Sequence, residues 1–206
     1  ICGNIILEHR VPDHLYIGNQ FCHLLFPERK LLFEIIEKAA AEQVEITLVF
    51  SYIREYMLDY ITELLDEINR WCEEKRQSVE IVVNDWGMAS LVKKSRRNLI
   101  PSLGILLNKR RKDPRIPFKK GEQKWFERNS LNAGFYRNFL EREYGIQRFE
   151  WESCGYEQQI PPGKNSLHIP FLVQYVKLAR EDDKSLQKNA RDIVRNMHFC
   201  IRNICI

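Results

Sequence analysis

An amide, a carboxylate and an indole arrive together at Asn84-Asp85-Trp86, directly after the run Val79-Glu80-Ile81-Val82-Val83 and before Gly87. Such a trio suits two tasks. Asp and Asn accept backbone N–H bonds where a helix starts, which makes Asp85 a candidate cap. In parallel α/β folds the chemistry gathers at the carboxyl ends of the strands, which makes the same pair a candidate for orienting or protonating a substrate. Comparable groups follow the other predicted strands: Asn19, Gln20 and Cys22; Ser51 and Tyr52; Asn108 and Lys109; Glu150, Glu152, Ser153 and Cys154. Any one of these is commonly a turn residue. Several strands ending this way point to a site at one face of the sheet. Asn84, Asp85 and Glu150 are then its catalytic candidates, and Asn19, Trp86, Asn108, Lys109 and Arg111 its candidate substrate contacts. His168, two residues before Pro170, either lies in a strand lining that site or is a structural histidine.

Other chemistries lack their signatures. No H-E-x-x-H pair, G-x-S-x-G elbow, G-x-G-x-x-G turn or Walker loop occurs, so zinc proteolysis, serine hydrolysis and nucleotide cradling have no support. Six cysteines (Cys2, Cys22, Cys72, Cys154, Cys200 and Cys205) contain no C-x-x-C spacing. Free buried thiols, a metal site or an iron–sulfur site are the readings they leave open.

The elements that must position these groups alternate. Strands are predicted at Asp13 to Asn19, Val44 to Phe50, Val79 to Val83, Ser102 to Asn108 and Ile146 to Ser153, with one or two more within Ser166 to Ala179. Helices are predicted at Glu28 to Gln43, from a Ser51 cap through Cys72, from Met88 to Lys94, and from Ser130 to Gly145. The second carries the stripe Ile53, Met57, Tyr60, Ile61, Leu64, Leu65, Ile68, Trp71 and Cys72, which assigns Cys72 to the core. The fourth turns Leu131, Phe135, Phe139 and Leu140 inward and ends on Gly145. Strand alternating with helix is the grammar of a parallel sheet. Without a glycine-rich phosphate loop the expectation is an α/β fold of (β/α) barrel type, a small or incomplete TIM-type barrel of parallel strands in one domain, with a helical tail over 180–206.

The chain has 206 residues, 44% hydrophobic and 29% charged, with a net charge of +4. That is an ordinary globular mixture with no apolar run long enough to span a membrane. No basic, cleavable leader is evident at the start, which makes the cytoplasm the expected location. The basic stretch Asn108 to Lys120 (NKRRKDPRIPFKK) suits either RNA phosphates or a solvated loop.

Leu15 to Cys22 (LYIGNQFC), Val82 to Gly87 (VVNDWG), the apolar run ending in Asn108, and Tyr144 to Trp151 (YGIQRFEW) come in an order and spacing that resembles the U32 peptidase-like family, nearest the branch used in oxygen-independent ubiquinone hydroxylation. The resemblance spans roughly Leu15 to Leu178. It implies a (β/α) barrel-like domain and a [4Fe–4S] cluster on four cysteines, Cys22 matching the first ligand and Cys200 and Cys205 the C-terminal ones. Glu181 stands where the family places a further cysteine, so either Cys154 supplies the fourth thiolate or the site is degenerate. Three functions follow as expectations: an iron–sulfur protein assisting a hydroxylation or related redox modification with a partner protein of the same family, a metal-free peptidase-like or RNA-modifying enzyme, and a non-catalytic domain that binds a small molecule or acts as a scaffold.

Overall fold

The computed structural model describes residues 13–93, 96–109, 124–153 and 157–172. They belong to one compact unit, Pro12–Val173. Six strands, β1 (His14–Gly18), β2 (Glu45–Val49), β3 (Val79–Val83), β4 (Leu99–Leu103), β5 (Arg148–Ser153) and β6 (Lys164–Leu172), pair in sequence order. All five pairings are parallel. Helices α1 (Arg29–Ala41), α2 (Leu58–Lys75) and α3 (Trp86–Lys93) make the first three crossovers; the short α4 (Lys124–Glu127) and then α5 (Gly134–Tyr144) lie between β4 and β5. The result is a curled half-barrel, the expected incomplete barrel-like fold.

The curl shows in who touches whom. In a flat sheet β1 and β6 would stand about 24 Å apart, five strand spacings. Here Tyr16 on β1 brings its hydroxyl 3.2 Å from Ser166 Oγ on β6, and Gln20 just past β1 reaches His168 on β6 at 3.5 Å. The two ends of the sheet therefore face each other across its concave side.

Each strand divides its residues between two faces, because successive side chains point opposite ways. Ile17, Ile46, Leu48, Ile81, Val83, Leu103, Phe149 and Trp151 lie on the convex face and form a single core with Leu32 and Ile36 of α1, Leu64, Leu65 and Ile68 of α2, and Met88 of α3. Cys72 is fully buried in that core, and burial pushes its thiol up to about 11. The concave face carries the other set: Tyr16, Thr47, Glu80, Ser102, Arg148, Glu150 and Ser166, aligned by the registers Tyr16 to Thr47, Thr47 to Glu80, Ser102 to Arg148 and Glu150 to Ser166.

Several predicted boundaries move. Ser51 caps no helix; an extended stretch and a 3-10 turn at Glu55–Met57 precede α2, which leaves Tyr60 exposed at the helix start. β4 begins and ends earlier than predicted, running Leu99–Leu103. Pro101 within it has no N–H to donate, and the ladder to β5 begins only at Ser102. In α5, Leu140 is buried while Phe135 and Phe139 are 79% and 43% exposed. Eleven residues beside a curved sheet offer the core a narrow stripe, and Phe139 instead meets Trp86 and Tyr144 on the outer surface. Gly145 ends the helix in the left-handed conformation, as predicted. β6 takes up the strand predicted from Ser166, starting two residues sooner, and slips register opposite Glu152/Ser153, around Pro170. Among the described residues no helix is long and apolar enough to cross a membrane.

Candidate active site

At the carboxyl ends of the strands, the amides and carboxylates singled out in the sequence are engaged with backbone. Asn19 Oδ1 accepts the amides of Phe21 and Cys22 at 2.8 and 2.9 Å, closing the turn after β1. Gln20 Oε1 accepts Ile105 N at 3.0 Å. Asn84, 4% exposed, donates through Nδ2 to Phe50 O at 2.7 Å and accepts Leu106 N at 3.2 Å, joining the loops after β2, β3 and β4. Asp85 accepts Met88 N at 2.8 Å through one oxygen, which caps α3, and Ile53 N at 2.7 Å through the other. Asn108 donates to Glu150 O at 3.1 Å, while its buried Oδ1 has no partner among the described residues. These side chains lace neighbouring loops into one rim. The backbone donors and acceptors they satisfy lie in the turns, where the strand ladder no longer supplies a partner.

The remaining sequence candidates scatter. Trp86 leaves the sheet altogether and lies in an aromatic cluster with Phe139 and Tyr144. Lys109 is exposed, its carbonyl accepting Ser130 N at 3.0 Å. Cys22 is a half-buried free thiol. Arg111, Cys154, Cys200 and Cys205 lie outside the described residues, as do Glu181 and nearly all of the basic stretch. Among the described residues no group of three or more His, Cys, Asp or Glu side chains is placed to hold a metal ion.

Glu150 and His168 do come together. Glu150 is fully buried at the centre of β5, and its Oε2 pairs with His168 Nε2 on β6. Its Oε1 receives the Tyr16 hydroxyl at 3.3 Å from the opposite end of the sheet. Arg148, one step earlier on the same face, pairs through Nη1 with Glu80 Oε2 at 3.1 Å and donates through Nε and Nη2 to Ser166 Oγ at 3.0 and 2.7 Å. Desolvation by burial raises the pKa of Tyr16, so its phenol stays protonated at neutral pH and acts as a donor. Burial likewise raises that of Glu80, partly offset by the Arg148 guanidinium and reinforced by the negative charge of Glu150. His14 completes the row, its ring 5.1 Å from Tyr16 and bonded to Thr47 and Glu45.

This concave set holds a carboxylate against an imidazole, a phenol donor, and a guanidinium fixed by a second carboxylate. That is equipment for moving a proton to or from a bound molecule and for holding a polar group beside it. Two of its members, Glu150 and His168, were singled out from the sequence. Tyr16, Glu80, Arg148 and Ser166 were missed, although their signal is present: polar and apolar residues alternate in Arg148-Phe149-Glu150-Trp151-Glu152 and in His14-Leu15-Tyr16-Ile17.

Comparison with protein families, curated proteins and solved structures returned no match to this chain.

Proposed function

We propose that the chain is an enzyme performing acid–base chemistry on a small polar molecule held against the concave face of the half-barrel. The observation that carries this reading is Glu150, fully buried in mid-strand and held between His168 and the Tyr16 hydroxyl. A carboxyl group removed from water costs several kcal/mol unless its partners compensate. An aliphatic interior of the kind that fills ordinary barrels would avoid that cost. His168, oriented by Glu150, serves as the proton-transferring group, Tyr16 as a neutral donor to that carboxylate, and Arg148 as the positive charge of the face. Asn84, Asp85, Asn19 and Asn108 hold the loops around them.

The test compares wild-type protein with Glu150→Gln and His168→Gln in a small-molecule cell extract, read by mass spectrometry. Wild type should deplete at least one compound that neither variant touches. Identical profiles for all three, with folding confirmed by circular dichroism, would remove the enzymatic reading.

A second reading keeps the U32-like resemblance, with a [4Fe–4S] cluster on Cys22, Cys154, Cys200 and Cys205 supplying electron transfer to a hydroxylation or related redox modification. What supports it is the element from Gly18 to Cys22. Gly18 has φ of +114°, and a Cβ there would overlap Val49 O and come within 2.9 Å of Phe26. The glycine is thus required for the turn that sets Cys22 beyond the carboxyl end of β1. Iron and sulfide analysis of anaerobically purified protein is its test: about four irons with matching sulfide support it, and a colourless, iron-free protein after reconstitution ends it.

A further inference from the structure

The hydrogen bonds on the concave face have one consistent direction. The Arg148 guanidinium can only donate. Its Nε and Nη2 both point at Ser166 Oγ, at 3.0 and 2.7 Å, and so occupy both lone pairs of that hydroxyl. The Ser166 and Tyr16 hydroxyls lie 3.2 Å apart and either could donate, but with its lone pairs taken Ser166 has only its proton to offer, so it donates to the Tyr16 oxygen. Tyr16 also receives Arg148 Nη2 at 3.4 Å, which leaves its own proton to Glu150 Oε1 at 3.3 Å. Glu150 Oε2 remains to face His168 Nε2.

The other neighbours of that ring lie farther from Nε2 than Glu150. Gln20 fixes its amide by accepting Ile105 N at Oε1, so the end 3.5 Å from His168 Nε2 is the NH2 group, which could bond only a bare Nε2. The Glu150 carboxylate lies closer and takes the Nε2 proton, leaving Gln20 in contact with the ring without a hydrogen bond to it. The Tyr16 ring meets the imidazole edge-on at 5.8 Å between centroids and offers no lone pair along that direction. Glu152 is the register partner of His168 on β5, one step beyond Glu150.

We propose that Arg148, Ser166, Tyr16 and Glu150 form a one-way hydrogen-bond chain that holds the His168 proton on Nε2 and leaves Nδ1 as the proton-accepting atom of the site. In this arrangement Tyr16 and Ser166 are positioning residues acting through Glu150, and Glu150 orients the imidazole as a carboxylate does in other histidine-based sites. The purpose of the chain rests on the acid–base reading above. Its existence does not, because the direction of the bonds follows from the Arg148 guanidinium, which only donates, at one end and the Glu150 carboxylate, which accepts, at the other.

The test reads a proton rather than turnover. In protein labelled with nitrogen-15 histidine, with His168 assigned by its disappearance in His168→Gln, a proton on Nε2 should exchange with water slowly enough to give a resolved downfield signal. Glu150→Gln should abolish it. Tyr16→Phe, which removes one of the two donors sharing the carboxylate, should move it further downfield, because Glu150 then concentrates on the imidazole. A merely space-filling Tyr16 would leave the signal in place. Three results overturn the proposal: a protected proton on Nδ1, no protected proton on His168, or an Nε2 signal that Tyr16→Phe leaves unmoved or shifts upfield. Should Glu150→Gln fail to fold, the wild-type and Tyr16→Phe spectra decide the matter. A protected Nε2 proton with no compound depleted from the extract would uphold the chain while ending the enzymatic reading.

Discussion

Gly104, the first residue after β4, lies against the side chain of Asn84. A Cβ built there would come within 2.5 Å of Asn84 Cγ and 2.8 Å of its Nδ2, inside the carboxamide itself. Gly104→Ala must therefore expel a side chain that bonds Phe50 O and Leu106 N. Both bonds are lost with little water to replace them, which costs about 3 kcal/mol, and the displaced amide adds about 1 more. Asn84→Ala removes the same two bonds directly, again about 3 kcal/mol. In the double variant the bonds are lost only once and the methyl group finds space, so the total stays near 3 to 4 kcal/mol rather than the roughly 7 of independent sites. Urea unfolding followed by tryptophan fluorescence, with equal slopes for the four proteins, supplies the cycle. The expected coupling is about 3 kcal/mol; a double variant whose loss equals the sum of the singles to within about 0.5 kcal/mol would refute the view that Gly104 exists to admit Asn84.

Three further outcomes follow from the same geometry. Asp85→Ala uncaps α3 and strands Ile53 N, lowering stability by about 2 to 3 kcal/mol and the melting temperature by roughly 5 to 10 °C, whereas Asp85→Asn keeps one acceptor and loses less; calorimetry showing no change for the alanine variant contradicts the capping role. Glu80 has its pKa raised in the folded state, so the native protein binds more protons than the unfolded chain once the pH exceeds the ordinary carboxyl value of 4.5, and this group makes stability fall as pH climbs through the raised value. Glu80→Gln should flatten that part of the stability–pH curve measured by urea midpoints, and an unaltered curve tells against it. Finally, with its thiol pushed up to about 11, Cys72 should resist alkylation in native protein at pH 8 while half-buried Cys22 reacts, as peptide mapping would reveal; rapid labelling of Cys72 would place it outside the core.

What the sequence determined by itself is mostly local. Apolar residues at helical spacing picked out most of the buried face of α2, because a helix beside a sheet must bury one stripe. Gly145 announced the end of α5, because few other residues tolerate the left-handed conformation. The alternation of strands with helices announced parallel pairing, since parallel neighbours need a crossover. Local chemistry also contained the rival reading of Asp85 as a cap, and its bond from Met88 N agrees with that reading.

The tertiary structure decided which polar residues meet. Tyr16 and Glu150 are 134 residues apart and touch only because six twisted strands curl until the first faces the fifth and sixth. Register then sets Glu150 beside Ser166, and Ser102 beside Arg148, so that residues alternating along each strand become one continuous polar face. A one-residue slip would have turned the same side chains into the helices. Neither curl nor register is written in any short stretch of chain. Both are settled by the burial of the opposite, apolar face against α1, α2 and α3, a condition that involves the whole sheet at once.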